Sequence, residues 1–160
     1  MKQSDIKAVL RFLGVLLIAE GALMALCIVP AWHFADGTLP QIALCSAVTL
    51  AVGIFLRYRY RSFRDIKDKR MSYLLVVLLW VILSLFATLP FLATGATNTI
   101  TQSSTNALTQ SHINTITQFS YAWFEAMSGL STCGATIFPD VATMPSSILL
   151  WRSMMQWFGG

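Results

Sequence analysis

The sequence predicts an all-α integral membrane protein, and three observations carry that reading. Hydrophobic residues make up 56% of the chain and charged residues only 11%, where an average soluble domain is about a quarter charged; the mean hydropathy is +0.64. Residues 12–29, 39–56 and 73–93 form three apolar runs of membrane-crossing length. A fourth apolar run, residues 119–130, is too short to cross and ends in a string of small and hydroxyl side chains.

The first run is interrupted only by Glu20 and follows Lys2, Lys7 and Arg11. That flank also suits a secretory signal peptide. An uncleaved helix is expected instead, because the run is long, no A-x-A site follows, and Leu26 before Cys27 does not fit a lipoprotein cleavage site. A carboxylate in mid-span is costly unless it faces protein or water, so Glu20 is expected to be a packing residue, protonated or hydrogen-bonded, or else a polar contact between helices or along a path through the membrane.

Residues 30–40 form a loop containing His33 and Asp36 but no Lys or Arg, and the second span follows. Residues 57–70 then carry seven Lys/Arg against Asp65 and Asp68. Arginines alternating with Tyr58 and Tyr60 would suit RNA, and the net charge is +4. A short basic connection between two spans is more simply the positive-inside signal, free to touch anionic lipid heads. Nucleic acid is not an expected partner; membrane lipid is.

The third span has no charged residue, with Pro90 near its end, and residues 94–117 are rich in Thr, Ser, Asn and Gln. Such a segment cannot build a core and is expected to be an exposed loop. The charge rule puts the amino terminus and residues 57–70 in the cytoplasm and residues 30–40 and 94–117 outside.

In the short fourth run Phe119, Trp123, Met127 and Leu130 recur at helical spacing with Ala122 and Ala126 beside them. The pattern predicts a helix that enters the membrane from outside, packs this stripe on its neighbours and runs out at Gly129. After it, Ser131, Thr132, Cys133, Gly134, Ala135 and Thr136 offer no bulk to hinder an extended backbone. Non-helical backbone at membrane depth needs protein or a water-filled path to satisfy it, and carbonyls turned toward an ion are one solution. An ordinary half-buried membrane helix also fits this stretch taken alone. Residues 138–144 return the chain to the outside, and Pro145 begins a last helix. Arg152, two turns on, either snorkels outward or pairs with Glu125.

Enzyme chemistry is not expected. Gly129 to Gly134 has the spacing G-x-S-x-x-G, one residue too long for a nucleophile elbow, and His33 and His112 lie in extramembrane segments. Cys27, Cys45 and Cys133 give neither a disulfide framework nor a metal-ligand spacing. No cofactor is implied.

The motifs FEAMSGLSTCGATIF (residues 124–138) and PSSILLWRSMMQWFGG (residues 145–160) resemble the TrkH/KtrB/HKT superfamily of potassium uptake proteins, its bacterial TrkH branch most closely. The likeness is strong over the last 40 residues and loose before them. It implies a filter similar to a weakened potassium-channel signature that keeps only the central glycine, at Gly134, with Thr132-Cys133-Gly134 where members commonly carry Thr-Thr-Gly. The resemblance assigns the backbone carbonyls of Thr132, Cys133 and Gly134 to K+, with the ion at Thr132 and Cys133 and with Ser131 and Ala135 as filter neighbours.

Members of that superfamily carry four helix/pore-loop/helix units around one pore, and TrkH-like ones two further helices in front. By that comparison residues 1–70 are the two amino-terminal helices with their basic cytoplasmic loop. Residues 71–160 are the first unit, with a re-entrant pore helix, an extended filter and a last helix cut short. The implied activity is K+ uptake across the bacterial cytoplasmic (inner) membrane by a homodimeric, pore-forming subunit served by a cytoplasmic TrkA-like nucleotide-binding regulator. Channel-like flow and H+- or Na+-coupled symport both stay open. A fixed cation on the ion axis would repel K+, which favours structural roles for Arg152 and Glu125; Asp140 either raises the cation concentration at the mouth or does nothing. The competing reading is a non-transporting helical anchor or assembly subunit.

Overall fold

Apolar runs of this length satisfy their backbone in lipid only as helices, and the described residues contain no strand. The computed structural model describes residues 3–61, 69–97, 115–141 and 144–160. Its helices are α1 (Gln3–Leu26), α2 (Ile28–His33), α3 (Leu39–Arg59), α4 (Lys69–Ala87), α5 (Leu89–Ala93), α6 (Thr115–Leu130) and α7 (Ser146–Gly159). Three stretches are long and apolar enough to cross a membrane: Lys7–His33, Leu39–Arg59 and Leu75–Ala93.

Prolines reshape the first and third of these. The missing N–H of Pro30 leaves the carbonyl of Leu26 without its helical donor, and helix α1 ends there; Cys27 N donates to Met24 O at 3.0 Å instead. Helix then resumes, so the expected loop at 30–40 begins only after His33. Pro90 separates α5 from α4 in the same way, and the break is bridged by Thr88 Oγ1 donating to Ser84 O at 2.6 Å and Leu92 N donating to Thr88 O at 3.3 Å. Pro40, by contrast, sits in the first turn of α3, where its lost N–H costs nothing. Because α3 continues through Arg59, the first arginines of the basic segment are helical rather than part of a connection. Residues 62–68 of that segment lie outside the described residues.

Helices α1 and α3 run antiparallel in backbone contact. A Cβ on Gly14 would lie 2.9 Å from both Gly53 O and Arg57 N, one on Gly53 would lie 2.9 Å from Ile18 N, and one on Gly21 would meet Leu50 Cγ at 2.8 Å. Small residues permit this approach, and dispersion over the contact replaces the hydrophobic drive that lipid removes. Helices α4 to α7 complete the fold around a core containing Leu17, Met24, Ile42, Phe91, Ile148 and Trp151. Trp151 Nε1 donates to Ala87 O at 3.1 Å, tying α7 to the end of α4.

Glu20 is 1% exposed, and neither carboxylate oxygen has a hydrogen-bond partner among the described residues. It faces protein, as a packing residue would, and of the two forms expected of such a residue, protonated or hydrogen-bonded, the second is not seen among the described residues.

Candidate functional site

Helix α6 starts at Thr115 rather than 119 and ends at Leu130, one residue past the expected stop. Residues 115–117 therefore belong to the helix and not to the polar loop, whose residues 98–114 lie outside the described residues. Its packing face meets the expectation in part. Of the bulky stripe only Leu130 is buried; Trp123 is 36% exposed and Phe119 and Met127 are half-buried. Buried with Leu130 are Ala122 and Ala126, expected beside the stripe, and Glu125, Ser128 and Gly129, which were not. The reason is the closeness of α7. A Cβ on Gly129 would lie 3.0 Å from Met155 Cε, and one on Gly159 would fall within the Leu130 carbonyl group. Only a small-residue ridge admits a helix at that distance. Trp123 keeps one anchor, its Nε1 donating to Ser84 Oγ at 2.9 Å.

Past α6 the chain makes a turn bonded back to the helix it leaves. Ser131 N donates to Met127 O at 2.9 Å, Thr132 N to Gly129 O at 3.0 Å, and Gly134 N to Ser128 O at 3.3 Å. Thr132 has φ +58° and Gly134 φ +72°. Glycine adopts the left-handed region without strain; a β-branched threonine there is an outlier that its surroundings must enforce. Residues 131–136 are all exposed. Ser128 Oγ donates to Ala135 O at 2.6 Å, so that carbonyl is held from behind. No described residue donates to the carbonyls of Thr132, Cys133 or Gly134.

Beneath the turn lies a buried ion pair. Glu125 Oε2 is 3.4 Å from Arg152 Nη2, with the Glu125 side chain wholly buried and that of Arg152 13% exposed. Glu125 Oε1 accepts from Ile137 N and from Thr136 Oγ1, each at 2.7 Å. Thr136 Oγ1 in turn accepts from Phe138 N at 3.1 Å and from Arg152 Nη1 at 3.2 Å. Of the two dispositions open to Arg152, pairing with Glu125 is the one adopted. Buried charge is tolerated when paired and hydrogen-bonded in this way. The cluster fixes the strand of chain leaving the turn.

Behind the turn an open cleft of about 320 Å³ is lined by Gly134, Thr136, Val141, Arg152, Ser153 and Gln156 among others. A Cβ on Gly134 would lie 3.3 Å from Gln156 Nε2, so α7 closes on the turn there. Helix α7 is itself fixed at its start: Asp36 Oδ2 accepts from Ser147 N at 3.3 Å, and Thr38 and Ser147 hydroxyls meet at 2.8 Å. A carboxylate at a helix amino terminus meets unpaired N–H groups and the positive end of the dipole. Asp140 is exposed.

Sequence reasoning missed Ser128, Thr136, Asp36 and Thr38 as shaping residues. The hydroxyls flanking the small-residue string on both sides were the available signal for the first two; Asp36 and Ser147 are 111 positions apart, and nothing local links them.

These features define a class: a helical membrane protein whose short helix α6 ends in an exposed, left-handed turn braced by a buried ion pair. No protein-family model matches the chain. It is 31% identical over 156 residues to the Trk system potassium uptake protein TrkH of Halomonas elongata, covering 98% of this chain and 29% of that protein. Against TrkH of Escherichia coli K12 it is 32% identical over 155 residues, covering 96% of this chain and 28% of that one. Over 44 residues it is 52% identical to an uncharacterized cation transporter of Methanocaldococcus jannaschii, covering 26% of this chain and 9% of that protein. The crystal structure of the potassium transporter TrkH from Vibrio parahaemolyticus superposes with a TM-score of 0.78 at 26% identity, covering 99% of this chain and 30% of that one. The chain is thus TrkH-like along nearly its whole length, with the likeness of the amino-terminal portion of TrkH, and it spans under a third of the length of these relatives.

Proposed function

We propose that the turn at residues 131–136 is one part of a potassium-selective filter, and that this chain is the amino-terminal portion of a TrkH-like potassium uptake protein. The observation that carries the proposal is the alternation of backbone handedness, with φ positive at Thr132 and Gly134 and not at Cys133 or Ala135. In an ordinary strand successive carbonyls point to opposite sides. Reversing every second peptide unit turns them to one side, as carbonyls replacing an ion's water shell require. The carbonyls of Thr132, Cys133 and Gly134, to which no described residue donates, are the K+ ligands in this reading. Ser131 precedes them; Ala135, its carbonyl held by Ser128, serves as a brace. Since a side chain does not ligate, cysteine at 133 is compatible with the role.

The similarity to TrkH supports the rest of the reading: a bacterial inner-membrane location with a cytoplasmic amino terminus, residues 1–70 as two leading helices, residues 71–160 as the first of several filter-bearing units, a homodimeric complete form and a TrkA-like regulator. No cofactor takes part; K+ is cargo.

Gly134→Ser in the complete protein tests the filter. Its Cβ would lie 3.3 Å from Gln156 Nε2 at a φ of +72°, so the Gln156 side chain must give way and the new side chain sits on a strained backbone. The expected result is loss of K+ uptake, or of discrimination against Na+, at unchanged abundance in the membrane. Unchanged uptake rate and unchanged K+/Na+ selectivity would refute the filter assignment.

A further inference from the structure

A second site lies at the end of the α1/α3 pair that carries Arg11 and Arg61. There a cavity of about 500 Å³ is lined by Arg11, Ile18, Ile54, Arg57, Tyr58 and Arg61. Helix periodicity makes it. Arg11 and Ile18 are seven residues apart on α1, while Ile54, Arg57, Tyr58 and Arg61 follow one face of α3 and the turn after it. The crossing of Gly14 over Gly53, tight enough that a Cβ on Gly14 would lie 2.9 Å from Arg57 N, brings the two stripes side by side. Arg57 and Arg61 are exposed and have no ion-pair partner among the described residues.

We infer that this cavity binds the phosphate headgroup of an anionic phospholipid in the adjacent leaflet, an inference independent of the potassium reading. Two exposed guanidinium groups, those of Arg57 and Arg61, at one cavity suit a phosphate diester, whose two unesterified oxygens accept paired N–H bonds from a guanidinium fork. The apolar remainder of the lining commits the site to lipid rather than to a free anion. Ile54 is 56% exposed and lies within the Leu39–Arg59 membrane-length helix, and with Ile18 it offers a seat for the glycerol and first acyl carbons below the arginines. Tyr58, 79% exposed at the same level, is of the type that settles at headgroup depth. Basic pockets between membrane helices on one leaflet side are recognised headgroup sites.

Native mass spectrometry of the full chain in a zwitterionic detergent, titrated with phosphatidylglycerol and with phosphatidylcholine, tests it. Retention of phosphatidylglycerol in preference to phosphatidylcholine is expected. Arg57→Gln with Arg61→Gln should weaken that retention roughly 30-fold, from the value of two near-surface charges. The control pair Lys7→Gln with Arg59→Gln removes equal charge from the same end outside the cavity lining and should weaken it by far less. Each single variant whose lipid-free melting temperature matches the parent is scored beside the doubles, and Arg57→Gln or Arg61→Gln alone should lose about fivefold. Equal loss in both pairs would reduce the effect to diffuse attraction and overturn the site. Displacement of the lipid by millimolar inorganic phosphate or glycerol phosphate would overturn the lipid assignment in favour of a small anion.

Discussion

At Glu125 a single side chain links three parts of the molecule: α6 that carries it, the chain leaving the turn through Thr136 and Ile137, and α7 through Arg152. Glu125→Ala leaves the Arg152 guanidinium nearly buried without its counter-charge, for which breaking a buried pair costs about 3–5 kcal/mol. The expected outcome is a marked drop in the melting temperature of the purified protein, with any surviving transport less selective because the turn loses its support. A melting temperature within a degree of the parent would show that the cluster does not hold the turn. Thr136→Val, removing one bridging hydroxyl, should cost less, about 1–3 kcal/mol. Cys133→Thr should change uptake little, since the carbonyl stays and the thiol is exposed. Glu20 poses the opposite case. Its two carboxylate oxygens lack partners among the described residues, so Glu20→Met, of similar volume and apolar, should leave the melting temperature unchanged or raise it, and Glu20→Gln should leave K+ uptake by the complete protein nearly intact. Loss of uptake in Glu20→Gln at normal membrane abundance would place that carboxylate on the ion path.

Between elements, the glycines decide which helices touch. Gly53 on α3 meets Gly14 and Ile18 of α1 at distances a Cβ would reduce to 2.9–3.0 Å. Gly53→Val should therefore force the pair apart and cost about 1–3 kcal/mol by overpacking, read as a lower midpoint in a detergent melt; no change would mean the helices are not in backbone contact. The loops joining these helices carry the topology. Cysteine-accessibility labelling in cells should find a position beside Asp36 reachable from outside and one beside Arg61 shielded until the membrane is opened. External labelling near Arg61 would overturn the proposed orientation.

For the molecule as a whole, one α6/turn/α7 unit presents one set of carbonyls, while enclosing an ion takes a ring of them. Reconstituted by itself in liposomes, the 160-residue chain should carry no K+ flux unless copies assemble around a common axis; flux from a chain shown to be monomeric would contradict that requirement. What the sequence determined alone was whatever depends on local composition and the membrane: the helical class, the three apolar spans, and the place of the turn after the short helix, all legible because lipid leaves an apolar run one way to satisfy its backbone. The resemblance, carried by residues 124–138 and 145–160, added the likeness to TrkH. Only the tertiary structure decided which face of α6 is buried. Periodicity pointed to Phe119, Trp123, Met127 and Leu130 with Ala122 and Ala126 beside them; the close approach of Met155 and Gly159 kept Leu130, Ala122 and Ala126, added Glu125 and Gly129, and left Trp123 exposed. The pairing of Arg152 with Glu125, the capping of α7 by Asp36, and the convergence of Arg11 with Arg57 and Arg61 were likewise invisible in the chain order. Each joins residues distant in sequence, whose meeting is set by how closely two helix backbones pack, and that distance is written in no single segment.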